Sequence, residues 1–227
     1  MSLYIFWHRV LPWLKPLPAL GRLVRHDPRS LLFLAEVSPL VSVLHIHNGD
    51  VLNQGKIGSC TGNATAQILN TDPLKGSRSL LAETDALNIY HWATVYDNIK
   101  GTYPPNDTGS SGLSAAKAAK KLGYIKSYSH AFGLQHVLGA LALRPVIIGI
   151  PWLKNMFVVP ANGILDVTGA EVGGHEIALI GLDVENQEVI MLNSWGPSWG
   201  SNGSARIRWS DLDLLLKQQG DCTVLLT

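Results

Sequence analysis

Cys60 is the residue of this sequence best placed to act as a nucleophile. It lies between the small residues Gly58, Ser59 and Gly62, which would let a substrate backbone approach the sulfur closely. The pattern predicts a helix that begins near Cys60, and a helix N-terminus beside a histidine stabilises a thiolate. A cysteine at the start of a helix is more often a buried packing residue. The assignment therefore depends on partners elsewhere in the chain.

Three polar residues have the chemistry that such a nucleophile needs. Gln54 precedes Cys60 in a glycine-containing loop, and its amide and the Cys60 N–H could both donate to the oxyanion that forms when a carbonyl is attacked. His175 could serve as base and acid. Asn193 could accept the His175 ring N–H and so fix the orientation of the ring. Together these residues predict acyl transfer through a thiolate.

Three segments resemble those of papain-like cysteine peptidases. Residues 54–60 read Gln-Gly-Lys-Ile-Gly-Ser-Cys, similar to the family's Gln-Gly-x-x-Gly-Ser-Cys. Residues 174–181 resemble the strand that carries the base, and residues 193–203 match Asn-Ser-Trp-Gly-x-x-Trp-Gly-x-x-Gly without a gap. The resemblance implies an α+β, two-lobed fold in which a cleft separates a helical lobe from a β-barrel-like strand lobe. It also implies a cysteine endopeptidase that acts on polypeptides without a metal or cofactor.

The resemblance further implies substrate-binding residues. Residues 107–112, Asp-Thr-Gly-Ser-Ser-Gly, resemble a segment of bacterial-type members whose edge pairs with extended substrate backbone. A turn in which Ser110 or Ser111 caps the next helix is an equal alternative. Trp195 is expected to cover the bond between His175 and Asn193, while Trp199 is either a cleft wall or a core aromatic. The implied binding residues are Gly109, Ser110, Ser111, Gly112, Gly174, Trp195 and Trp199.

Several positions depart from the family pattern. Ile57 stands where many members have a cysteine, and residues 109–112 contain none, so the style is that of bacterial-type members without the usual disulfides. Thr61 replaces the usual aromatic residue, and Glu176 replaces the small residue after the histidine. Because side chains alternate along a strand, we expect Glu176 to point away from the cleft. Two alternatives stay open: a papain-like acyltransferase and a catalytically silent binding module of the same fold.

The composition argues against other classes of protein. Lys and Arg number 18 against 17 Asp and Glu, which leaves no field to attract nucleic acid or an anionic membrane. Two cysteines cannot form a disulfide framework, and Cys222 is expected in the core. His45 and His47 lack further ligands for a metal. The apolar N-terminal run is too short for a membrane span. It also lacks the positive charge before a continuous apolar core and the small-residue cleavage site that a secretory signal has in that order. We therefore expect a cytoplasmic protein, with its oligomeric state left open.

The predicted elements divide the chain into an extension and one domain. Residues 1–38 lack periodicity and are expected to pack on the fold as a structural extension, with a segment that blocks the cleft as the alternative left open. Residues 39–227 are expected to form the peptidase domain, with a helical lobe over about 50–138 and a strand lobe over about 139–227 plus 39–48. Helices are predicted near 60 and within 79–99, 114–122 and 211–217. Strands are predicted at 40–46, 145–150, 164–167, 175–183, 189–192, 205–209 and 223–226.

Overall fold

The computed structural model describes residues 17–227. Its helices are α1 (Cys60–Leu69), α2 (Glu83–Tyr96), α3 (Gly112–Lys121), α4 (Gly133–Leu141) and α5 (Trp209–Lys217). Its strands are β1 (Val43–Leu44), β2 (Ser127–Ala131), β3 (Val146–Leu153), β4 (Glu171–Asp183), β5 (Glu188–Leu192), β6 (Ser204–Arg208) and β7 (Asp221–Leu226). Two short 3₁₀ helices span Pro28–Leu32 and Lys154–Phe157. Helices and an antiparallel sheet confirm the predicted α+β class.

The seven strands form one antiparallel sheet with β4 near its middle. The order is β2-β7-β3-β4-β5-β6, and β1 pairs with β4 outside this path. In the register of β3 and β4, Gly149 lies opposite Glu176 and Ile150 lies opposite His175. Because successive side chains of a strand point to opposite faces, β4 presents His175 on one face of the sheet and Glu176 on the other.

Both faces of the central strands are buried. On one face, Ile148 and Ile177 join a cluster that includes apolar residues of α4 and α5. On the other, Ile147 and Ala178 pack with the alanine-rich faces of α1 and α3. All ten residues of α1 are buried, so the start of this helix is held firmly between the other helices and the sheet.

Two elements were not predicted from the sequence, one predicted strand is absent and another is much shorter. The short segment of β2 is rich in polar residues and lacks an apolar alternation, and α4 contains two glycines. Residues 164–167 do not form a strand, since Ile164 makes only an isolated bridge to Arg206. The strand expected at 40–46 is reduced to β1. For the strands, pairing with distant parts of the chain decides the outcome rather than local pattern.

The part of the N-terminal extension that the structure describes, residues 17–38, packs along the domain. Leu34 forms a parallel bridge with His130 of β2, and Arg22 forms one with Ser110. The apolar run near the N-terminus lies outside the described residues. None of the helices in residues 17–227 has the length and apolar character that a membrane crossing requires.

Candidate active site

Cys60 is the first residue of α1, and the loop before it is held in place by Asp107. The Asp107 carboxylate accepts the Gly58 N–H at 2.9 Å and the Tyr90 hydroxyl at 2.6 Å. Ser59 donates to the Asn63 side chain at 2.8 Å, so the first turn of α1 is fixed as well. In the sequence, Asp107 is identified only as part of the segment 107–112. Its hydrogen bonds to the nucleophile loop are formed only in the tertiary structure.

His175 and Asn193 form the hydrogen-bonded pair that the sequence predicts. His175 Nε2 lies 2.8 Å from Asn193 Oδ1, and Asn193 Oδ1 also accepts the Ser194 N–H at 2.8 Å. An amide oxygen is an acceptor only, so Nε2 carries the proton and Nδ1 is free to accept one. Within residues 17–227, Nδ1 has no hydrogen-bond partner.

Two tryptophans enclose this pair. Trp195 stacks on the His175 ring with centroids 4.8 Å apart and planes 28° apart, and Trp152 contacts the same ring edge-on at 4.8 Å. Burial lowers the pKa of His175 to about 4, although the bond to Asn193 opposes this shift. In this structure the imidazole is therefore neutral at pH 7.

Gln54 is joined to the loop that carries Asn193. Its Oε1 accepts the Ser194 hydroxyl at 2.6 Å, and its backbone N–H donates to Ser194 O at 2.9 Å. The amide nitrogen donates to Ile57 O at 2.9 Å and to Ala19 O at 3.2 Å. Ser194 thus orients Gln54, a role that the sequence did not indicate.

Residues 19–23 of the extension cross the surface above Cys60. Ser110 N–H donates to Gly21 O at 2.8 Å, Leu23 N–H to Ser110 O at 2.6 Å, and Arg22 N–H to Gly174 O at 3.0 Å. These contacts favour the alternative left open from the sequence, a segment that blocks the cleft. A few backbone hydrogen bonds are enough to hold an extended segment here, and no long helix is required.

The closest approach in this crossing is at Gly21. A Cβ atom on Gly21 would lie only 1.9 Å from Gly58 O, so no larger residue fits without displacement. The N–H groups of Gly21 and Thr61 face the Cys60 sulfur, but burial and the negative charge of Glu176 outweigh them and raise the thiol pKa to about 12. With the segment in place, Cys60 is a buried, protonated thiol.

The glycine-rich edge caps a helix and also pairs with backbone of the chain's own N-terminal extension. Ser111 caps α3, its side chain accepting the Ser114 N–H, while the backbone of Ser110 pairs with residues 21–23. Gly109 N–H donates to the Tyr90 hydroxyl at 2.8 Å. Gly112 lies beneath Glu176, since a Cβ there would be 2.2 Å from Glu176 Oε1. Capping and backbone pairing are therefore compatible.

Glu176 lies on the face of β4 opposite His175, as strand alternation predicts. That face is covered by the helices and by the crossing segment. The side chain is fully buried, close to Arg22 and Asp221 around Gly149. Strand alternation correctly places Glu176 and His175 on opposite faces of β4. The local sequence pattern does not indicate which segments cover the face of Glu176.

Trp199 has features of both roles considered for it. The residue is 9% exposed. Its ring lies edge-on to Trp195 at 5.5 Å, and the ring N–H donates to Phe157 O at 3.0 Å. It also lines a hollow with Val158 and Val159. It is an aromatic of the core whose edge reaches a surface depression.

The remaining candidates have ordinary structural partners. His45 Nε2 lies 2.7 Å from Leu141 O, and His47 Nδ1 lies 3.0 Å from Thr71 Oγ1. Cys222 is a buried free cysteine. Residues 17–227 contain no group of three His, Cys, Asp or Glu side chains arranged to hold a metal ion.

Comparison with known proteins identifies one family. The sequence profile of the papain family cysteine proteases matches residues 82–218, a region that includes His175 and Asn193 but begins after Cys60. An uncharacterized peptidase C1-like protein of Acanthamoeba polyphaga mimivirus is 24% identical over 194 residues. That match covers 67% of this chain and 62% of the viral protein, so the chain spans less than two thirds of this relative's length.

Solved structures share the fold. Xylellain, a cysteine protease from Xylella fastidiosa, superposes with a TM-score of 0.74 at 18% identity, covering 95% of this chain and 99% of xylellain. Procathepsin L 3 of Tenebrio molitor has a TM-score of 0.64 at 15% identity, covering 92% of this chain and 76% of its own. The Carica candamarcensis cysteine protease CMS1MS2, solved with E-64, has a TM-score of 0.57 at 17% identity, with coverages of 80% and 94%.

Proposed function

Because this chain belongs to the papain family of cysteine proteases, we propose that it is an endopeptidase whose nucleophile is Cys60. His175 is the base, Asn193 orients it, and Gln54 is a donor to the oxyanion. The observation that carries the proposal is the hydrogen bond of 2.8 Å between His175 Nε2 and Asn193 Oδ1. It leaves Nδ1 as the free basic nitrogen on a ring held rigidly by two tryptophans.

The proposed reaction proceeds through an acyl-enzyme. The Cys60 proton moves to His175 Nδ1, and the thiolate attacks the peptide carbonyl. The oxyanion accepts hydrogen bonds from Gln54 Nε2 and the Cys60 N–H. His175 then gives its proton to the leaving amine and activates the water that releases the acyl group.

The peptide substrate class is supported by the segment that already crosses the site. Residues 19–23 bind through backbone N–H and C=O groups to Ser110 and Gly174, and the Ala19 carbonyl accepts from Gln54. These contacts are available to any extended chain, because backbone groups do not depend on sequence. The same contacts make the described state a latent one, in which the chain's own segment excludes substrate.

The test compares the full chain with Cys60→Ser and Cys222→Ser on an unstructured protein substrate. Cleavage that is lost in Cys60→Ser and retained in Cys222→Ser is expected. Mass spectrometry of the products, with and without an added amine, separates hydrolysis from acyl transfer to the amine. Labelling by a thiol-directed epoxide at Cys60 separates an enzyme from a silent binding module. Cleavage by Cys60→Ser would overturn the proposal.

A further inference from the structure

Two loops of the domain meet at the peptide that crosses above Cys60. A Cβ on Gly21 of that peptide would lie 1.9 Å from Gly58 O, and a Cβ on Gly109 would lie 2.3 Å from Gly21 O. Gly58 belongs to the loop before the nucleophile, and Gly109 begins the glycine-rich edge that pairs with extended backbone. Both cysteines of the chain, Cys60 and Cys222, are free, so no disulfide joins the two loops. Their spacing is therefore set by hydrogen bonds and packing.

The side chains of Asp107 and Tyr90 connect these two loops. Asp107 accepts the Gly58 N–H with both carboxylate oxygens, at 2.9 and 3.1 Å. The Tyr90 hydroxyl donates to Asp107 Oδ1 at 2.6 Å and accepts the Gly109 N–H at 2.8 Å. An unbroken series of hydrogen bonds therefore runs from the nucleophile loop to the glycine-rich edge.

Tyr90 is itself held firmly on α2. The residue is fully buried, and its ring centroid lies 5.1 Å from that of Tyr103. It packs against α1 just after the nucleophile, because a Cβ on Gly62 would lie 2.9 Å from Tyr90 Cβ. Burial and the hydrogen bond to Asp107 raise the pKa of Tyr90, so the hydroxyl stays protonated and remains a donor. The hydroxyl thus has a fixed place relative to Cys60.

We propose that Tyr90 and Asp107 are positioning residues that hold the glycine-rich edge at a fixed place relative to Cys60. This inference rests on the proposed function and adds two residues to its machinery. A peptide that pairs with Ser110 then presents its carbonyl carbon to the sulfur at the distance that attack requires. Asp107 acts through the Gly58 N–H, and Tyr90 acts through the N–H at the start of the edge.

The two ends of this network distinguish positioning from simple stabilisation of the fold. Each end is a backbone N–H of a residue that contacts the crossing peptide. Tyr90→Phe removes only the hydroxyl, so the ring keeps its packing while the Gly109 N–H loses its acceptor. The edge can still pair with a peptide through Ser110, because that pairing uses backbone groups alone. The bound peptide is then displaced from Cys60, and a displacement of about 1 Å can lower the rate about 10²-fold.

The first test measures cleavage of a peptide by the full chain and by Tyr90→Phe, with active sites counted by labelling with a thiol-directed epoxide. We expect kcat per labelled site to fall about tenfold or more in Tyr90→Phe, while KM changes little. Tyr96→Phe, the same change on a half-buried tyrosine of α2, is the control and should keep the original kcat. A loss confined to the number of labelled sites would mark a role in stability alone and overturn the proposal. An unchanged kcat in Tyr90→Phe would also overturn it and leave the proposed function standing.

A comparison of single and double variants tests whether the two side chains act as one unit. An asparagine side chain can accept hydrogen bonds with one oxygen only, so Asp107→Asn should also lower kcat. Because either change interrupts the same series of hydrogen bonds, the variant with both Tyr90→Phe and Asp107→Asn should lose no more than the worse single variant. Adding Tyr96→Phe to Asp107→Asn should change nothing further. Losses that multiply when Tyr90→Phe and Asp107→Asn are combined would show two independent effects and contradict the proposal.

Amide hydrogen exchange, measured by NMR, tests the connection without any cleavage. In the full chain carrying Cys60→Ser, the acceptor of the Gly58 N–H is Asp107, which Tyr90→Phe does not remove. If the two side chains act as one unit, Tyr90→Phe should still accelerate exchange at Gly58 by about tenfold or more, whereas Tyr96→Phe should not. Unchanged exchange at Gly58 in Tyr90→Phe would overturn the connection, whether or not the chain cleaves peptides.

Discussion

The amide nitrogen of Gln54 lies 3.2 Å from the carbonyl oxygen of Ala19. A donor proposed for the oxyanion is thus occupied by a carbonyl of the chain's own N-terminal extension. Together with the backbone pairing of residues 21–23 to Ser110 and Gly174, this contact makes residues 19–23 the feature that controls access to Cys60.

Displacing residues 19–23 should expose the thiol. Gly21→Ala adds a Cβ that would lie 1.9 Å from Gly58 O, so the segment must move away from Cys60. We expect alkylation of Cys60 by iodoacetamide to accelerate about tenfold or more, since reaction requires opening of the cover. Leu17→Ala, at an exposed position before the segment, is the control and should react at the original rate. An unchanged rate in Gly21→Ala would contradict the covering role.

The pH dependence of Cys60 alkylation should also show that residues 19–23 cover the thiol. Burial and Glu176 raise the thiol pKa to about 12, so the thiolate fraction near pH 7 is very small. In the full chain the rate should climb with pH without a plateau below about pH 9. In Gly21→Ala, water reaches the site and the profile should move to lower pH. Identical profiles for the two proteins would count against burial by the segment as the cause.

Stability should depend on pH through His175. Its pKa is about 4 in the folded protein, lowered by burial from the ordinary histidine value of 6.5. Between these values the unfolded chain binds the proton and the folded chain does not, so the free energy of unfolding falls as the pH is lowered from 6.5 to 4. The loss from this group is up to about 3 kcal/mol.

His175→Gln removes this titration, so the difference in stability between the two proteins should vary across that pH range. Urea unfolding at several pH values measures it. His26→Gln, on the exposed part of the extension, is the matched control and should run parallel to the unmodified chain. A constant difference between the unmodified chain and His175→Gln would show that the histidine is not held neutral.

Removing the proposed oxyanion donor should slow the chemical step. Gln54→Ala is expected to lower kcat by about 10²- to 10³-fold, because the donor acts mainly on the charge formed in the transition state. Since the Ser194 hydroxyl holds Gln54 Oε1 at 2.6 Å, Ser194→Ala should produce a smaller loss of the same kind. Gln187 lies on an exposed turn, so Gln187→Ala is the control and should leave kcat unchanged. Gln67 is not a suitable control position because its side chain is buried.

Loss of the orienting amide should also lower kcat. Asn193→Ala frees the His175 ring, and a decrease of about 10- to 100-fold in kcat with little change in KM is expected for lost positioning. Asn186→Ala, on an exposed turn, is the matched control. If Asn193→Ala raised KM alone, the role of Asn193 would be in binding rather than in orienting the base.

The sequence by itself determined the family, the α+β class and the set of polar residues proposed for chemistry. This was possible because the three motifs are local. Within about ten positions, each one contains the chemical residue, its small neighbours and the secondary-structure element that carries it. The start of α1 at Cys60 and the strand that carries His175 follow from the same local patterns. Even the separation of His175 from Glu176 follows from strand alternation.

Only the tertiary structure decided which residues cover Cys60 and which charged side chains lie together beside it. The ion pair of Arg22 and Asp221 joins opposite ends of the chain, and no local pattern encodes such a contact. The same holds for residues 19–23 over Cys60 and for β2, whose polar sequence becomes a strand through its partner β7. Alternation assigns Glu176 to its face of β4, but its burial depends on the distant segments that pack against that face.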